Sequence, residues 1–193
     1  MKKTLIMILL LQSPYLVLSQ SNWSVDKSHS SVQFEVSHLV ISTVVGNFTV
    51  FEGKVVSKSD DDLTDADISA EIDVKSVDTR NLSRDDHLRQ DDFFNAKKFP
   101  KILFKSKSVK KQSSNNYIVE GDLTIRDVTK PIKLEASYGG TVTLEGKKRA
   151  GIVASGSLNR FDYNLKWDDM LDNGSMVVGE NVDIKLNIQL VKE

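Results

Sequence analysis

Cysteine is absent from the 193-residue chain. That excludes a disulfide framework, a lipid-modified N-terminal cysteine and any thiol chemistry. Beyond Leu18 no apolar run approaches the roughly 20 residues that a membrane-crossing helix needs. An excess of one charge is missing too: 26 Lys and Arg stand against 27 Asp and Glu, unlike the basic balance of a nucleic-acid binder. Catalytic signatures are scarce. His29, His38 and His87 share no metal-binding spacing. No Gly-x-Ser-x-Gly elbow is present, and no glycine-rich loop opens a helix. Asp60-Asp61-Asp62 and the group Asp168, Asp169 and Asp172 read as solvated acidic turns, because Ca²⁺ needs about six to eight arranged oxygens. No metal ligand and no catalytic residue is assigned.

What is present begins with a basic start, Lys2-Lys3, an apolar run from Leu5 to Leu11, then Gln12-Ser13-Pro14 and a second apolar patch from Tyr15 to Leu18. With Val17 and Ser19 before the cleavage point, residues 1–19 read as a secretory signal peptide and 20–193 as the mature chain. The expected location is periplasmic or secreted. Losing Lys2 and Lys3 takes the formal charge from −1 to −3. About 170 residues without disulfides form one domain large enough to stand on core burial.

The mature chain alternates apolar and polar residues with a period of two, the mark of half-buried strands. Val32, Phe34 and Val36 open the series, and His38 to Val45 is more evenly apolar. Gly46-Asn47 reads as a bend before a strand from Phe48 to Val56. Ile68, Ala70, Ile72 and Val74 give the cleanest alternation. Ile102 and Phe104, Tyr117 to Ile125, Ile132 to Tyr138, Ala150 to Leu158 and Val182 to Leu190 follow, with short turns between most of them. Roughly eight long strands with internal glycines point to an all-β fold, an eight-stranded antiparallel barrel. No repeat or linker divides it.

The pattern breaks once, in Asn81–Phe104. Ser83-Arg-Asp-Asp86 reads as a helix cap with an acidic third position, with Asp85 and Arg89 paired one turn apart. Short helical turns are expected over Arg84–Gln90 and Asp92–Ala96, ended by the restriction before Pro100. Leu88, Phe93, Phe94 and Phe99 need burial and suit a cover over one mouth of the barrel. The cover either seals a core or acts as a lid, with Arg84, Asp85 and His87 beside a ligand. Phe34, Val36, Phe48, Ile68, Ile72, Phe104, Leu123, Ile125, Ile132 and Leu134 face inward. Small residues among them (Ala70, Gly121, Ala136, Gly151, Ala154, Gly156) allow either interdigitated packing or a channel, since cores and apolar pockets share a composition.

Several stretches, in order, resemble the YceI-like proteins: WSVDKSHSSVQFEVSHLVISTVVGNF (23–48), SVDTRNLSRDDHLRQDDFFNAKKFPKILFKS (76–106), GDLTIRDVTKPIKLE (121–135) and LNRFDYNLKW (158–167). The later VGENV (178–182) is similar as well. The resemblance implies a lipocalin-like barrel, exported by bacteria, with an apolar cavity for a polyisoprenoid chain and a polar mouth for its head group. It marks His29, His38, Arg84, Asp85, His87, Thr129, Arg160 and Asp162 as recurrent polar positions. Val40 departs from the pattern, which favours glycine after His-Leu.

The expected ligand-binding set is therefore Phe34, Val36, His38, Phe48, Ile72, Arg84, Asp85, His87, Phe93, Phe94, Phe104, Leu123, Ile125 and Arg160. The expected ligand is a long isoprenoid or quinone-like lipid, with no cofactor required. Transient membrane contact, and a monomer or homodimer, complete the expectation. The alternatives are an envelope stress or interaction module with a filled core, or an enzyme acting on lipid or quinone. On this reading, Phe93→Asp and Phe94→Asp both lose lipid while the barrel persists, as circular dichroism and mass spectrometry of lipid extracts would report.

Overall fold

The computed structural model describes residues 20–193, so the signal-peptide reading of 1–19 lies outside the described residues. The β segments are β1 (Ser21–Val25), β2 (Ser31–His38), β3 (Ser42–Phe48), β4 (Phe51–Ser57), β5 (Asp67–Asp73), β6 (Val77–Asp78), β7 (Lys101–Lys111), β8 (Asn116–Ile125), β9 (Val128–Leu144), β10 (Lys147–Asn159) and β11 (Val178–Lys192). β1 runs on into β2, β3 into β4 and β5 into β6 with only short breaks, so they make eight strands. Each strand pairs antiparallel with the next, and β11 returns to pair with both β1 and β2. The barrel is closed, as the alternation predicts.

Up-and-down connection sorts the loops onto two ends. Residues 39–41, 79–100, 126–127 and 160–177 gather at the mouth, while 58–66, 112–115 and 145–146 gather at the opposite end. At the latter, Glu145 and Gly146 both take positive φ, 51° and 76°, the geometry of a two-residue hairpin whose twist matches the strands.

The expected bend at Gly46-Asn47 is not there. β3 runs straight through it, and the chain turns instead at Leu39–Ile41, where Leu39 and Val40 take φ of 54° and 64°. Gly46 serves a different need. It pairs with Phe34 across β2 and β3, and a Cβ at this position would run into the Phe34 ring. Gly121 is similar: a Cβ would lie 2.5 Å from the Lys105 carbonyl and 2.6 Å from the Phe104 ring, opposite a register shift in β7 between Ser106 and Ser108. Gly151 does not belong with the interior small residues. It falls between Ala150 and Ile152, which face inward, so it points out.

The end opposite the mouth is sealed. Trp23, Tyr117, Val109 and Leu190 are almost inaccessible there, and Leu63 and Ala66 of the 58–66 loop tuck in with them. The solvated-turn reading of Asp60-Asp61-Asp62 is thereby corrected. Asp60 accepts from Lys148, Lys192 and Ser21, and its backbone carbonyl accepts from the Tyr138 hydroxyl. Asp62 accepts from the Thr64 amide at 2.8 Å and the Tyr117 hydroxyl at 3.1 Å. Acids far from any ladder reach in to bind groups on β1, β8, β9, β10 and β11.

The hydrogen bond from Lys148, followed by those from Lys192 and Ser21, holds the Asp60 carboxyl well below the usual carboxylate range. A carboxyl depressed by folding adds stability above its unfolded value of about 3.9, and that stability fades as pH falls through the folded value. Asp60→Asn is expected to cost about 1–3 kcal/mol at neutral pH. Thermal melts should show wild type and variant converging as pH drops below about 4.

Candidate functional site

The barrel encloses an apolar cavity of about 400 Å³. It runs from Leu63 and Leu190 near the sealed end to His38, His87 and Trp167 at the mouth. The space exists because of where the rings lie. Phe34 and Phe104 settle over Gly46 and Gly121 instead of crossing the interior, and Ala70, Ala136 and Ala154 leave further wall positions short. Of the two readings of the small residues, a channel is the one the structure adopts.

The mouth is built from irregular chain and one short helix, α1 (Leu82–Leu88). Its cap is Asn81, whose side chain accepts from the Arg84 amide at 3.1 Å, two residues earlier than the Ser83 cap expected. The Asp85–Arg89 side-chain pair does not form. Asp85 is buried and accepts from the Thr79 amide and hydroxyl at 2.8 and 2.6 Å. Arg89 pairs with Asp86 at 2.9 Å and donates to the Lys75 and Val77 carbonyls. No second helix covers Asp92–Ala96, which is a series of turns.

Arginines hold this irregular chain by its carbonyls, which no ladder satisfies. Arg126 donates to the carbonyls of Asp91, Phe93 and Asn164 at 2.8, 2.6 and 2.7 Å. Arg160, 2% exposed, donates to those of Gly179, Leu165, Trp167 and Val178. Burial draws its proton affinity below the ordinary value, against the pull of Asp168 and Glu180. The Asp92 carbonyl in turn accepts from the Lys166 and Trp167 amides at 2.9 and 3.2 Å.

Thirteen of the fourteen expected site residues line the cavity. Phe34, Val36, Phe48 and Ile72 do so from β2, β3 and β5, and Phe104, Leu123 and Ile125 from β7 and β8. His38, Arg84, His87, Phe93, Phe94 and Arg160 do so at the mouth. Asp85 is the exception: its carboxylate is spent on Thr79, so it positions α1. Three further polar positions lie off the cavity. Thr129 bonds Thr124 on the outer surface, Asp162 pairs with Lys130 at 2.6 Å, and His29 sits beside Asp26. Asp26, Ser28 and His29 together suggest a nucleophile relay, but both His29 contacts use Nδ1, at 3.0 Å to Asp26 and 3.1 Å to Ser28. A base cannot pass a proton between partners bound at one nitrogen, so the group caps a turn.

Trp167 is the mouth residue that the expected set lacks. Its ring stacks on Phe93 at 5.7 Å and meets His87 edge-on at 5.9 Å. His87 also meets Phe93 edge-on at 5.0 Å and its Nε2 lies 2.8 Å from Asp92. Its place at the end of the family-like stretch LNRFDYNLKW (158–167) was the signal that could have found it.

With this geometry in hand, the comparisons are decisive about kinship. The family model for the YceI-like domain matches residues 23–190. The chain belongs to the YceI-like family. Among its relatives is UPF0312 protein SA2479 of Staphylococcus aureus (strain N315), 31% identical over 171 residues, which span 88% of this chain and 96% of that protein. The crystal structure of Campylobacter jejuni YCEI protein is similar at a TM-score of 0.63 and 33% identity, covering 81% of this chain and 89% of that one. Burkholderia cenocepacia BcnA shares the fold at a TM-score of 0.72 and 21% identity, over 86% and 98% of the two chains. A polyisoprenoid binding domain from Saccharophagus degradans, implicated in plant cell wall breakdown, shares it at 0.63 and 16%, over 89% and 98%.

In this YceI-like barrel the two adjacent phenylalanines have different surroundings. Phe94 packs edge-on against Phe48 at 5.7 Å within the core cluster, whereas Phe93 belongs to the mouth stack. Phe94→Ala is expected to cost about 3–5 kcal/mol, as large core truncations do. Phe93→Ala should cost less and change Trp167 fluorescence, while Trp23 at the sealed end stays silent. Denaturant melts and emission spectra check both.

Proposed function

We propose that the protein is an exported lipid-binding protein that holds a long isoprenoid or quinone-like chain in its barrel and thereby sequesters or carries it. The observation that carries this reading is an elongated cavity with a predominantly apolar lining and with His38, Arg84, His87 and Arg160 at its mouth. Such a cavity selects by partition. Each methylene moved from water into it contributes about 0.8 kcal/mol, so a long chain gains affinity with few polar contacts. Against that stands the cost of immobilising a flexible chain, which favours a lipid that fills the space.

The mouth groups suit orientation better than chemistry. Arg160 and Arg126 are committed to carbonyls, and Arg84 donates to the Thr79 hydroxyl and carbonyl at 2.8 and 2.9 Å. His38 and His87 reach the cavity and fit a polar head group there. The polyisoprenoid-binding character of the Saccharophagus degradans domain, which shares this fold, supports the same choice of ligand. A cavity of about 400 Å³ between the side chains of the barrel weighs against the interaction module with a filled core. Export rests on the basic, apolar and small-residue pattern of 1–19.

Protein purified without detergent should yield a long-chain isoprenoid or quinone-like lipid in organic extracts analysed by mass spectrometry, near one equivalent. Gly46→Leu, which pushes the Phe34 ring off the wall, should lower that yield several-fold. Extracts free of lipid from folded wild type, or an unchanged yield from folded Gly46→Leu, would contradict the reading.

A further inference from the structure

We propose that the hairpin tip Leu39–Ile41 is a bilayer anchor that seats the mouth of the barrel on a membrane. The proposal rests on the lipid-binding reading and names the surface with which the cavity exchanges its contents. Two independent observations single out the tip. Val40 and Ile41 are 68% and 85% exposed, a cost in water that no partner among the described residues offsets. Leu39 and Val40 also hold left-handed backbone, φ 54° and 64°, which a β-branched residue such as valine adopts only at a strain cost. Strain kept where it presents an apolar side chain to solvent points to use, not to packing.

The position and chemistry fit lipid. Leu39 is tied to the mouth by its amide, which donates to the Val177 carbonyl at 2.8 Å, and the Val177 amide donates to Asp169 at 2.9 Å. That path leads to Met170, 55% exposed, and Leu82, 84% exposed, stands on another mouth loop. The preceding residue, His38, lines the cavity, so the tip lies beside the opening. No Asp, Glu, Lys or Arg occurs from Ser37 to Phe48. A segment without formal charge enters hydrocarbon with no ion to desolvate. Its backbone is tied in part from within: the Ile41 amide and Ser42 hydroxyl both donate to the His38 carbonyl. The other mouth loops intersperse acids and bases, Arg80, Asp86, Lys97, Asp127, Lys166 and Asp172 among them. They offer no single-sign field for a charged partner, and the matching surface is a neutral bilayer.

Flotation of the mature protein with phosphatidylcholine vesicles tests this. Wild type and Val142→Asp, at the opposite end, should float with the vesicles. Ile41→Asp should reduce the bound fraction at least tenfold. Val40→Gly, which relieves the backbone strain, should melt at a higher temperature yet bind vesicles several-fold less. All four should yield equal lipid in organic extracts. Vesicle binding by Ile41→Asp equal to wild type, equal loss in Val142→Asp, or no binding by lipid-loaded wild type would overturn the anchor and leave the lipid-binding reading standing. Extracts free of lipid from all four folded proteins would overturn that reading instead.

Discussion

Phe34 and Phe104 lie against wall positions that carry no side chain, and the interior of the barrel depends on that contact. A ring in a narrow antiparallel barrel has two places to go: across the centre, where it meets rings from the far wall, or flat along a neighbouring strand. Gly46 and Gly121 open the second. Eight strands make an interior that side chains alone can fill, so a few wall glycines and alanines decide between core and cavity. Here they leave room for a chain-like ligand while Trp23, Tyr117 and Leu190 still give the sealed end a dense core.

An open-ended cavity needs a mouth that is not itself a ladder, and irregular chain leaves carbonyls without partners. Arginine answers this with several fixed donors on one side chain. Arg126 gathers carbonyls from two loops, Arg160 joins its own loop to the start of β11, and Arg89 ties α1 to the turn before it. The sealed end uses the reverse chemistry, with Asp60 collecting two lysines and a serine. Both ends are fixed by charged side chains, and the long apolar middle is left to exclude water.

The eight strands were legible because the side-chain period of two survives any tertiary context that buries one face. The cavity wall was legible for the same reason, and so was the mouth segment, where the period fails. What local pattern misread depends on distant partners. Asp60 looked solvated because its lysines lie 88 and 132 residues away. Asp85 looked like a helix-face acid because nothing local marks Thr79 as the donor to its carboxylate. Gly46 looked like a bend because a glycine that spares a ring and one that turns a chain are spelled alike. The true turn fell on Leu39 and Val40, which no propensity would choose.

The central claim is that affinity comes from apolar chain enclosed in this cavity. A calorimetric series with delipidated protein and isoprenoid alcohols of increasing length measures it directly. Affinity should climb with each added unit, with a negative heat-capacity change for buried apolar surface, and level off once the cavity is full. Affinity independent of chain length, or no binding at any length, would contradict the account.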